Sequence, residues 1–197
     1  MKVPSLVKYS KLSKSISGII NVLFWVVLGL AAASILAAIG IGAFPKAIDL
    51  ITADNSFSIS PDNIIRFEIT ASSISDTDIS NLYSLLFISI TLLLIMILFV
   101  LQQLKNILKN VVDAKPFAKE NAKSIMYTGY IVIAGSVIVP VLKAFMVNKI
   151  VHAFDISNVN VVYTINTEIL ILGILLLLLS AIFNYGAYLQ QEYDTTI

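Results

Sequence analysis

Four apolar runs constrain this chain more than any other feature. Residues 19–44, 81–101, 125–146 and 169–188 are each long enough for a helix to cross a bilayer, whose hydrocarbon core takes roughly 20 helical residues. Inside lipid every backbone polar group must be satisfied by the protein itself, and helices do this within one segment. The charge content agrees. Only 13% of residues are charged and 58% are apolar, with mean hydropathy +0.91, whereas a soluble domain is roughly a quarter charged. A net charge of +1 argues against nucleic-acid binding, which needs a basic face. The chain has no cysteine, which excludes disulfides, thiolate metal sites and cysteine nucleophiles.

The polar segments set the organisation. Residues 1–17 carry Lys2, Lys8, Lys11 and Lys14 without an acidic residue. A signal peptide opens in the same way, but its apolar region is about 7–15 residues, so the longer run is a first span. Within it Gly29, Ala33 and Ala37 recur every fourth residue, a small-residue face that suits close helix approach; alanine is also simply common in such helices. Residues 45–80 turn acidic, with Asp49, Asp54, Asp62, Glu68, Asp76 and Asp78. There, 57–60 and 64–70 alternate apolar and polar residues around Pro61-Asp62-Asn63, a hairpin signal. A lone hairpin is marginal, and the β-branched segment 160–165 supplies a candidate third strand.

The expected division is an N-terminal tail 1–17, spans at 18–44, 81–103, 124–147 and 167–188, outer loops 45–80 and 148–166, a polar elbow 104–123, and a tail 189–197. Pro116 suits the first turn of the third helix, and Pro140 predicts a kink in its outer half. Asn166 or Thr167 is placed to cap the fourth helix. The N-terminal tail has four lysines and the elbow has Lys105, Lys109, Lys115, Lys119 and Lys123, against Lys46, Arg66 and Lys149 in the outer loops. Basic residues favour the cytoplasmic side, which puts both termini and the elbow there. The fold expected is an all-α membrane protein, a four-transmembrane-helix bundle with a small extracytoplasmic β element drawn from both outer loops.

Polar residues inside spans are the first functional candidates. Asn21 and Lys143 lie near span ends, where long side chains snorkel. Gly173, Ser180 and Asn184 form a stripe on the fourth helix, either interhelical glue or a transport site. His152 with Asp155 is too sparse for a metal centre, and the carboxylates Asp54, Asp62, Asp76 and Asp78 lack EF-hand spacing. Serines occur without a Gly-x-Ser-x-Gly elbow. No enzyme and no cofactor is expected. Lys115, Pro116, Phe117, Lys119, Glu120 and Asn121 gather a rigid turn, an aromatic ring, charges and an amide within two turns of chain. They form either a re-entry turn, with Phe117 packed under the bundle, or a docking surface for a cytoplasmic partner.

Two motifs carry a family resemblance. Lys115-Pro116-Phe117 followed by Glu120-Asn121 resembles the Pro-Phe-x-x-Glu-Asn signature of the bacterial family of unknown function DUF2975. Phe183, Gly186, Leu189, Gln190, Glu192 and Asp194 resemble that family's C-terminal ending. Members are small four-span membrane proteins without an established activity, often encoded beside a small helix-turn-helix regulator. The resemblance therefore implies a regulatory partner in the cytoplasm. The expected function is a non-enzymatic membrane protein, in the bacterial cytoplasmic membrane, that senses or sequesters such a regulator. The alternative is a component for small-solute or peptide export, or for self-immunity, which would want a polar cavity lined by Asn184, Ser180 and Lys143.

Overall fold

The computed structural model describes residues 4–44, 56–59, 67–70, 76–113, 115–153 and 160–196. Four helices dominate: α1 Pro4–Ala43, α2 Asp76–Val112, α3 Lys119–Ala153 and α4 Thr167–Thr196. Each contains a stretch apolar enough to cross a membrane: Ser13–Ala43, Ser80–Val112, Lys119–Ala153 and Thr167–Tyr193. The shortest has 27 residues, about 40 Å at 1.5 Å per residue, against a core of about 30 Å. The chain is a multi-pass membrane protein. Its large apolar side chains face outward accordingly, with Leu36 at 70% and Ile182 at 66% exposure, while the buried positions among the described residues are mostly alanines and serines. Lipid is as apolar as leucine, so close packing of small residues holds membrane helices together.

The helices run beyond the apolar runs. Segments 104–112, 148–153 and 189–196 are helical, as is the N-terminal segment from Pro4. Lys, Gln, Glu and Leu are good helix formers, and lengthening an existing helix avoids the cost of a new nucleus.

The chain forms two compact units, one of Met1–Gly29, Leu94–Val137 and Ile165–Ile197, the other of Leu30–Leu93 and Ile138–Thr164. In the second unit α1 and α2 are stitched by hydroxyls on backbone carbonyls. Ser34 Oγ donates to Phe87 O at 2.8 Å, Ser80 Oγ to Ile41 O at 3.1 Å and Ser84 Oγ to Ala38 O at 3.3 Å. The buried stripe of α1 is therefore Ala31, Ser34 and Ala38. This corrects the expected Gly29–Ala33–Ala37 face: a Cβ on Gly29 would meet nothing within 4 Å, and Ala33 is exposed. Spacing alone marked both faces. The serines decide which one packs, because each needs a carbonyl partner in lipid.

β1 (Ser56–Ile59) and β2 (Phe67–Thr70) pair antiparallel, with Phe57 opposite Ile69. The expected turn at Pro61-Asp62-Asn63 lies outside the described residues. The third strand is corrected: 160–165 has no regular structure, and Val162, Tyr163 and Ile165 are exposed. β-branched composition favours a strand only where a neighbouring strand receives it. Among the described residues the β element comes from the segment between α1 and α2 alone, and the segment between α3 and α4 adds no strand.

In the first unit α3 and α4 approach closely through glycine. A Cβ on Gly173 would lie 2.5 Å from Ile133 Cγ1 and 3.0 Å from Ile133 N, and one on Gly129 would lie 2.8 Å from Leu177 Cδ2. Ser180 Oγ donates to Ala122 O at 2.8 Å. Lys105 Nζ of α2 sits 4.4 Å from the Phe24 ring centroid of α1, a cation–π contact. α3 continues through Pro140.

Candidate functional site

The elbow joining α2 to α3 is held from within by one amide. Asn121 is 1% exposed. Its Nδ2 donates to Pro116 O at 2.9 Å and to Lys115 O at 3.3 Å, and its Oδ1 accepts from Asn110 Nδ2 at 2.7 Å. Lys115 N–H also donates to Asn110 O at 2.8 Å, a six-to-one bond of the kind that closes helix C-termini. Ala118 N–H to Lys115 O at 3.2 Å then forms a turn with Pro116 in its second position, where the fixed φ of proline fits. Pro116 thus precedes α3 and does not lie in its first turn, which corrects the expectation. The physical reason is Asn121, whose side chain takes the Lys115 and Pro116 carbonyls out of the helical ladder.

Phe117 projects from this turn onto α4. Its ring centroid is 5.7 Å from that of Phe183, the planes inclined by 34°. It also covers Gly186, where a Cβ would come within 3.2 Å of Phe117 Cδ1. The two sequence motifs therefore meet in space. Phe117 is nevertheless 48% exposed, so it lies against α4 at the rim and is not packed beneath the bundle as one reading expected. Lys115, Lys119 and Glu120 are exposed beside it.

Two open clefts flank Lys119. One, of about 490 Å³, is lined by Lys115, Phe117, Lys119, Asn184, Tyr188 and Gln190 among others. The second, of about 620 Å³, runs between α3 and α4 from Lys119 and Lys123 to Tyr130 and Leu177. The polar stripe on α4 divides between packing and surface. Gly173 and Ser180 face α3, whereas Asn184 is exposed and lines both clefts. Of the C-terminal motif, Gly186 lies under Phe117, Gln190 lines a cleft, and Leu189 is exposed. Tyr188 Oη donates to Glu192 Oε1. Asp194 lies in the last turn of α4, with its side chain outside the described ones.

Asn21, Lys143 and His152 are exposed, and Asp155 lies outside the described residues. Asn110 was not singled out from sequence, although its amide completes the elbow. The only trace of it there is an amide in the polar end of α2, eleven residues before another amide.

The sequence model of a family described as "Protein of unknown function (DUF2975)" matches residues 69–197. No curated protein and no solved structure matches the chain.

Proposed function

The chain belongs to the DUF2975 family of proteins of unknown function, and from that premise we propose that it is a non-enzymatic membrane protein that senses or sequesters, using the elbow to dock a cytoplasmic transcription regulator. The observation that carries this reading is the buried Asn121 amide, which fixes the turn and leaves Lys115, Lys119 and Glu120 exposed on it. A rigid charged surface loses little entropy when a partner binds. Ser180 supports the same reading over export, because its hydroxyl is engaged by the Ala122 carbonyl and is spent on packing.

In this proposal the protein resides in the bacterial cytoplasmic membrane, with both termini and the elbow in the cytoplasm and the β1–β2 ladder outside. Lysine asymmetry supports that orientation. Cysteines placed singly at Lys119 and Val162, both exposed, test it with an impermeant thiol reagent on intact cells. Val162→Cys labels and Lys119→Cys does not; the reverse pattern inverts the topology. For docking, the charge swap Lys119→Glu with Glu120→Lys abolishes co-purification of a small helix-turn-helix regulator of the kind often encoded beside members of the family. Undiminished recovery removes the elbow as its docking surface.

A further inference from the structure

Below the elbow, Lys119, Lys123, Met126 and Tyr130 follow one another on α3 at steps of four, three and four residues, so they share one helix face. Leu177, Ser180 and Asn184 share a face of α4, and the two faces wall the cleft of about 620 Å³. The helices run in opposite directions here, since Ser180 meets Ala122 while Gly173 meets Gly129 and Ile133. Both walls therefore change character together. At the elbow end stand Lys119, Lys123 and the Asn184 amide; deeper lie Met126, Tyr130 and Leu177. The distance from Lys119 to Tyr130 along α3 is about 16 Å, roughly half the hydrocarbon thickness.

We infer that this cleft binds one anionic phospholipid from the leaflet that faces the elbow. Its phosphate sits between Lys119 and Lys123, and the upper part of one acyl chain lies along Met126 and Leu177. Charge complementarity selects the headgroup. Glu120 is the one carboxylate lining the cleft against two lysines, and among the described residues neither lysine holds an ion pair. Lysine stems bury against apolar surface while their ammonium groups reach the phosphate level. The deeper lining selects an amphiphile over a free anion. Ser180 is already bonded to the Ala122 carbonyl, and Met126 and Leu177 offer nothing to a solvated ion. Tyr130, 53% exposed at the deep end of the cleft, presents its ring to the acyl chain. The site shares Lys119 and Glu120 with the docking surface proposed at the elbow, and Lys123, which lies outside that surface, reports on the lipid alone.

Native mass spectrometry of the full chain in nonionic detergent tests this, with equal amounts of phosphatidylglycerol and phosphatidylcholine bearing identical chains. One phosphatidylglycerol per chain is retained, favoured over phosphatidylcholine by about fivefold or more. Each lysine near a membrane surface contributes about a factor of five toward an anionic lipid. Lys123→Gln therefore lowers retention about fivefold, and Lys119→Gln with Lys123→Gln about thirtyfold, whereas the corresponding double arginine variant retains the lipid. Inorganic phosphate leaves the bound lipid in place. Equal retention of the two lipids, unchanged binding in the glutamine pair, loss of the lipid in the arginine pair, or displacement by phosphate alone would each overturn the assignment.

Discussion

The backbone N–H of Asn166 donates to the carbonyl of Ser136 at 2.9 Å, the very carbonyl that Pro140 leaves without its helical donor. Proline has no N–H, so the acceptor four residues earlier is orphaned, and in lipid an orphan carbonyl costs several kcal/mol. The residue that satisfies it also caps α4. Asn166 Oδ1 accepts from Ile169 N–H at 3.1 Å, and Asn166 O accepts from Leu170 N–H at 3.0 Å. One residue thus repairs α3 and starts α4. An interior proline ordinarily costs about 3 kcal/mol; Pro140→Ala is expected to stabilise by less than about 1 kcal/mol, because the orphan is already paired. Asn166→Ala is expected to cost about 1 kcal/mol, with Asn166→Asp retaining most of it. Unfolding in mixed detergent micelles measures both.

The Asn110–Asn121 pair sets a second expectation. Removing the Asn121 side chain strands the Asn110 amide and the Pro116 carbonyl, while Lys115 O keeps its bond from Ala118 N–H, and each buried unsatisfied group costs about 1–3 kcal/mol. Asn121→Ala is expected to lose about 2–4 kcal/mol. Asn121→Asp does no better, since a carboxylate cannot donate to two carbonyls. Asn110→Ala alone costs about 1 kcal/mol, and the double-mutant cycle shows coupling of about 0.5–3 kcal/mol. Additive effects would mean that the two amides act separately.

Much of this was legible in the chain, and the rest was hidden for definite reasons. Span lengths follow from the apolar runs, and a cap at Asn166 or Thr167 follows from their place before Glu168, the choice falling to Asn166 through its bond from Ile169 N–H. The packed face of α1 does not follow, because every face of a membrane helix is apolar and Gly29 resembles Ala31 until Ser34 finds Phe87 O. Pro116 suggested a helix start; only the tertiary demand of Asn121 moves that start to Lys119. Val162 and Tyr163 favour a strand locally but pair with no strand among the described residues. Both C-terminal-half motifs were visible in sequence, whereas their meeting through Phe117, Phe183 and Gly186 needed the fold.

Glycine substitutions separate the α3–α4 contact from open helix surface. An alanine at Gly173 would press on Ile133 N at 3.0 Å, a backbone atom that cannot turn away, so α3 and α4 must part. Overpacking of this kind costs about 1–3 kcal/mol. Gly18→Ala and Gly29→Ala meet nothing within 4 Å and are expected to be neutral or to gain up to about 1 kcal/mol from helix propensity. Equal behaviour at Gly173 and Gly29 in a thermal-stability assay would show that the close approach is not needed.

Phe117 separates the rim contact from the charged surface beside it. Truncating a fully buried phenylalanine costs about 3–5 kcal/mol, but this ring is 48% exposed, and its contacts are Phe183 on one side and Gly186 on the other. Phe117→Ala is therefore expected to cost about 1–2 kcal/mol, scaled from that range. Phe117→Leu should recover part of it by keeping the cover over Gly186. Lys119→Glu with Glu120→Lys leaves stability within about 1 kcal/mol, as exposed charges do. Gly186→Ala is the complementary probe: its Cβ meets a ring that can pivot, so the loss should be smaller than at Gly173 and should vanish in the Phe117→Ala background. If Gly186→Ala costs the same with and without the ring, the contact between the two motifs does not hold the elbow against α4.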